Sequence, residues 1–94
     1  MRNPVDILIQ ASELFGEKNA VYGDTWKDIG KTMKSLFPNG VALETAEEFS
    51  RYASLQLCVV KIERYCVNFK KGGHLDSVKD LQVYAAILEA KTGA

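Results

Sequence analysis

The chain has little of what most catalytic and metal sites are built from. It contains one histidine, His74, and two cysteines, Cys58 and Cys66. A zinc site of Cys and His would therefore lack ligands, and no Ser-His-Asp or Cys-His grouping stands out for nucleophilic catalysis. The cysteines lie in one predicted helix, roughly 12 Å apart along its axis, and cannot bridge each other. No apolar run is long enough to span a bilayer and no secretory pattern opens the sequence, so the expectation is a soluble, cytoplasmic protein that does not engage membranes. Net charge is absent too, because twelve basic side chains balance twelve acidic ones. A non-specific nucleic-acid coat needs a cationic excess to displace counterions, so nucleic acid is not favoured as a partner.

What is present is helical periodicity. Thr45 to Phe69 runs without Gly or Pro. Within it Tyr52, Leu55, Val59, Ile62, Cys66 and Phe69 recur at alternating spacings of three and four, which predicts one buried side of a helix. A neighbouring row, Ala53, Leu57 and Val60, is also apolar and ends in Arg64. A third row, Glu47, Arg51, Ser54, Cys58, Lys61, Tyr65 and Asn68, mixes charges with small and aromatic residues, and is the expected wall of any chemical site. A helix apolar over so much of its circumference reads as the centre of a bundle.

The flanking segments supply its neighbours. Asn3-Pro4 predicts a helix start, with Asn as cap and Pro at the first helical position, and a helix to about Glu17 that buries Ile7 or Leu8, Ala11, Leu14 and Phe15. Gly23 permits a turn. A second helix begins near Trp26, through a Thr25/Asp28 capping box or an Asp24 cap, and carries a core stripe of Trp26, Ile29, Met33 and Phe37 until Pro38-Asn39-Gly40 ends it. Thr45 with Glu48 starts the central helix in the same way. Gly72 and Gly73 precede a last helix that opens on Asp76 and runs to about Lys91, with Val78, Leu81, Ala85 and Leu88 as its core face. The expectation is one all-α domain over residues 1–94, a compact bundle of about four helices around the central one. So short a bundle leaves apolar flanks on that helix, which predicts a homodimer or higher homo-oligomer.

Few residues offer chemistry. Lys61 and Arg64 share a helix face and can reach one anionic group, while Asp76 and Asp80 place two carboxylates at the start of the next helix. The plainer reading is ion pairs between antiparallel helices, with Asp76 as a cap. Glu44, Glu47 and Glu48 could hold magnesium together with Asp80, but acids in a first helical turn also suit the macrodipole. Tyr22-Gly23-Asp24 and Trp26 put two rings and a carboxylate around a turn. Rings so placed can stack on a base, whereas a core anchor is the plainer role for Trp26.

Taken in order, Tyr22-Gly23-Asp24 with Trp26, Lys61-Ile62-Glu63-Arg64, and Asp76-Ser77-Val78-Lys79-Asp80-Leu81 with Tyr84 resemble the signature of small all-helical phage and bacterial nucleotide-modification-associated, or MazG-like, domains. The resemblance covers roughly residues 13 to 90. It implies a nucleotide or nucleotide-like phosphate ligand in a phage or mobile-element setting, faced by Tyr22, Asp24, Lys61, Arg64, Asp76, Asp80 and Tyr84. Relatives among the MazG pyrophosphohydrolases use a Glu-Glu-x-x-Glu run and a later pair of acids to bind magnesium and split nucleoside triphosphates. Here Arg51 follows Glu47-Glu48 where the third acid belongs, so the resemblance implies binding, possession of a ligand without a metal, rather than hydrolysis, through cations that neutralise phosphate directly. The expectation is thus a protein that captures a phosphate-bearing small molecule, needing no cofactor, with Mg required only if it is an enzyme. The alternatives are a helical anti-defence module that blocks a host protein partner, and a Mg-dependent pyrophosphohydrolase.

Overall fold

The computed structural model describes residues 1–93, and those residues form four α-helices and no strand: α1 (Pro4–Tyr22), α2 (Thr25–Leu36), α3 (Ala46–Val67) and α4 (Leu75–Lys91). A short 3-10 turn, Phe69–Lys71, follows α3. The start signals act largely as read. The Asn3 side chain accepts the Val5 N–H at 2.8 Å with Pro4 opening α1, and Thr45 and Glu48 form the reciprocal capping box of α3.

Three boundaries differ from expectation. Helix α1 passes Glu17 and stops at Tyr22, because Lys18 to Tyr22 contain no helix breaker and the chain turns only at Gly23, where φ is +63°. At α2 the Asp24 side chain makes no cap and pairs instead with Lys27 at 3.1 Å. Helix α4 begins at Leu75, capped by His74 rather than Asp76: the His74 Nδ1 accepts the Ser77 N–H at 3.3 Å. The positive φ values at Gly72 and Gly73 reverse the chain early, which delivers His74 to the cap position and leaves Asp76 in the first turn, where its charge complements the helix dipole.

Helices α3 and α4 pack antiparallel along their lengths. The contacts fix the direction: Lys61 near the end of α3 pairs with Asp80 near the start of α4, and Ser54 near the middle of α3 accepts from Lys91 at the end of α4, at 2.9 Å. The mixed row of α3 is therefore a helix-packing seam. Ser54, Cys58 and Ser77 are buried in it, and such small side chains let the helices approach closely. Helix α2 lies on another side of α3, with Met33 and Val59 buried, Phe37 beside Tyr52 at 5.9 Å, and a 2.9 Å hydrogen bond from the Thr32 hydroxyl to Glu63.

The fourth helix does not close on this trio. Helix α1 is held at its last turn, where the Asn68 amide donates to the Val21 carbonyl at 3.2 Å and Gly23 sits against Val67. The stripe expected to be its buried side, Ile7, Leu8, Ala11, Leu14 and Phe15, is exposed throughout, because α1 leads away from α3 instead of lying along it. Trp26, expected in the core, is 58% exposed, and Ile62, Cys66 and Phe69 at the end of the α3 row are exposed as well. The radius of gyration is 16.2 Å, against about 12 Å for a compact chain of this length.

Two stability predictions arise from the turn and the cap. A Cβ on Gly73, where φ is +87°, would meet the Tyr65 ring at 2.4 Å, whereas one on Gly72, with φ +98°, meets open space. Gly72→Ala is expected to cost about 1 kcal/mol in urea unfolding from backbone strain alone, and Gly73→Ala about 1–3 kcal/mol more from the added overlap. At the α3 cap, bonds from the Thr45 backbone N–H and then the Thr45 hydroxyl hold the Glu48 carboxyl below the ordinary glutamate range. Its stabilising contribution is complete above the unfolded glutamate value and disappears as pH falls through the lowered native value. The stability gap between wild type and Glu48→Gln, followed by urea unfolding at a series of pH values, should narrow over that acid range.

Candidate functional site

The seven residues singled out from sequence separate into two clusters and two surface positions. Lys61, Asp80 and Tyr84 form one cluster. The Lys61 Nζ lies 3.0 Å from Asp80 and 5.9 Å from the centre of the Tyr84 ring, and the Lys61 side chain is only 13% exposed. With Ile62, Tyr65, Ser77 and Leu81 it lines a cleft of about 190 Å³ along the α3–α4 seam, where its stem is largely withdrawn from water and its ammonium already has a carboxylate. This arrangement is an interhelical ion pair.

Arg64, one turn further along α3, has a different environment. It faces the α1–α2 turn, with its guanidinium carbon 4.3 Å from the centre of the Tyr22 ring. Among the described residues it pairs with no carboxylate, and its Nε is shut off from solvent without a hydrogen-bond partner. A shielded donor of this kind carries a desolvation penalty of about 1–3 kcal/mol until an acceptor arrives. The Tyr22 ring that covers Arg64 is steadied on its other flank by His74, edge to face at 5.6 Å, so the same histidine that caps α4 buttresses the site.

Two clefts meet at Arg64. One, of about 170 Å³, is lined by Phe15, Lys18, Asn19 and Tyr22 of α1 together with Trp26. The other, of about 280 Å³, lies between α2 and α3 and is lined by Ile29, Gln56, Val60 and Glu63. Both include Thr25, Trp26 and Arg64. Together they fall within the range of about 300–1,000 Å³ usual for small-molecule sites. Trp26 forms a wall between them, with Phe15 edge-on at 6.1 Å and the Lys27 Nζ 5.3 Å from its ring centre. Lys18 stands 6.0 Å from the Tyr22 ring centre, which brings Lys18, Lys27 and Arg64 to the same end of the molecule.

Asp24 borders the turn but is committed to Lys27, with both side chains about half exposed. Asp76 is exposed in the first turn of α4 and makes no ion pair among the described residues. The magnesium grouping of Glu44, Glu47, Glu48 and Asp80 is not assembled: Glu48 is engaged by Thr45, Asp80 by Lys61, and the two positions are separated by about 20 Å along α3. Among the described residues no three His, Cys, Asp or Glu side chains converge to hold a metal.

Phe15, Lys18, Gln56 and Glu63 belong to this site but were not singled out by the sequence. Lys18 and Tyr22 are one helical turn apart, a usable signal once α1 is known to continue past Glu17. Gln56 and Glu63 could be found only by knowing which side of α3 receives α2. Comparison with known protein families, curated proteins and solved structures finds no match for the chain.

The ion pair yields its own expected outcome. Because the Asp80 side chain is 51% exposed, the pair is screened, and Asp80→Asn should lower unfolding stability by about 1 kcal/mol or less, with the difference shrinking in high salt. A Lys61→Ala change should cost more than Asp80→Asn, since it also removes the packed stem; urea melts of the two variants at low and high salt check both statements.

Proposed function

We propose that this protein binds a mononucleotide or a closely related phosphate-bearing small molecule at the Arg64 junction, and that it acts by capture of that ligand. The observation carrying this reading is Arg64 itself, a fixed cation with a shielded, unpartnered Nε, set between aromatic walls at the meeting of two clefts. A phosphate accepting from the terminal guanidinium nitrogens, which unlike Nε reach the cleft and carry no hydrogen-bond partner among the described residues, would make a charge-assisted contact, with Lys18 near enough to share the charge. The base would lie against Trp26 in the α2–α3 cleft, where Ile29 and Val60 supply apolar contact and Gln56 and Glu63 supply polar atoms for its edge. Asp80 and Lys61 serve in this reading as scaffold, because their charges are spent on each other. The reading stops at binding, since a magnesium-dependent hydrolysis would need gathered carboxylates.

Thermal-shift and calorimetric titration with purine and pyrimidine mononucleotides, nucleoside triphosphates and inorganic phosphate tests the proposal. At least one nucleotide should raise Tm in a concentration-dependent way, and phosphate alone should act weakly. Arg64→Ala should weaken binding by about 10- to 100-fold, the loss of one charge-assisted contact. Trp26→Ala, at an exposed position where folding tolerates the change, should weaken nucleotide binding while sparing phosphate. Absence of stabilisation by every one of these compounds would overturn the proposal.

A further inference from the structure

Two apolar helix faces in this chain lie open, and they are complementary in kind. On α1, Ile7, Leu8 and Leu14 are 42%, 68% and 53% exposed along one side. On α3, Phe49 and Leu57 are 55% and 43% exposed, and with Ala53 they form the side turned toward neither α2 nor α4. Both faces follow helical spacing, extending about 10 Å along α1 and about 12 Å along α3. In a closed four-helix bundle one would cover the other. Within a single chain they do not meet, because the Asn68 bond to the Val21 carbonyl and the turn at Gly23 fasten the end of α1 to the end of α3 and send α1 away.

The surface area indicates what covers them. The chain exposes 7235 Å², whereas a folded monomer of 10.4 kDa exposes about 5,400 Å². The excess, about 1,800 Å² per chain, falls inside the roughly 1,000–2,500 Å² that each subunit of an obligate homodimer buries. We infer that the occupant is a second copy of this chain: α1 of each subunit lies on the Phe49–Ala53–Leu57 face of α3 in its partner, in a two-fold exchange that completes both bundles. The contact is self-complementary, since each chain offers one α1 face and one α3 face, and two-fold symmetry uses all four. The exchange also places a net-acidic helix across the dimer, α1 carrying Asp6, Glu13 and Glu17 against Lys18, while the neighbouring α2 carries Lys27, Lys31 and Lys34 against Asp28. None of this depends on the proposed ligand.

Sedimentation or light scattering of the full chain at tens of micromolar tests the inference, with Leu8→Asp and Leu57→Asp as variants. Wild type should have twice the chain mass, and each variant should lose the dimer. Wild-type Tm should also rise as protein concentration is raised from ~1 to ~100 µM, which holds even if a variant cannot fold as a monomer. A monomeric wild type with a concentration-independent Tm overturns the inference. So does a dimer abolished by Leu8→Asp and untouched by Leu57→Asp, which would mean that α1 pairs with α1, and so does an assembly larger than a dimer.

Discussion

The close approach of α3 and α4 is the constraint on which the rest of the architecture depends. Ser54, Cys58 and Ser77 are small enough to bring the two backbones together, and the few other buried residues among those described, Met33 and Val59, lie where α2 meets α3. Polar bridges at each end, Lys61 to Asp80 and Lys91 to Ser54, fix the register. Small residues supply little hydrophobic stabilisation by themselves, so the seam positions the helices more than it anchors them. The larger apolar side chains of α1 and α3 are left for other contacts.

That geometry also determines which cation is available. Lys61 and Arg64 sit three residues apart, yet one points into the seam and the other toward the α1–α2 turn. Lys61 meets a carboxylate on α4; Arg64 meets the Tyr22 ring. An arginine over an aromatic face keeps most of its hydrogen-bonding capacity, because the ring engages the flat of the guanidinium and leaves its edge for acceptors. The difference in availability thus comes from the roughly 60° by which residues three apart are offset around a helix.

The sequence made the helices legible because their start and stop signals are local: Asn3-Pro4, Thr45 with Glu48, Pro38 to Gly40 and the paired glycines all work within a few residues. The number and order of helices followed directly. What periodicity could not reveal is which apolar row meets which neighbour. Three rows of α3 were visible, and the mixed row turned out to be the most deeply packed, since small side chains matter at a helix crossing more than hydrophobicity does. The α1 stripe was equally visible, but its lack of cover within the chain depends on the direction set at Gly23 and Asn68. The site was half legible for the same reason. Tyr22 and Arg64 were marked as candidates, while Asp80 and Lys61 proved to answer one another.

The two thiols now have opposite situations. Cys58 is closed inside the seam and Cys66 is on the outside of the same helix. An alkylating reagent would consume the outer sulfur at the chemical rate of an accessible thiol, whereas the inner one becomes reachable only when α3 and α4 part. The slower of the two reactions is therefore a clock for breathing of the molecule, built from native side chains and requiring no label.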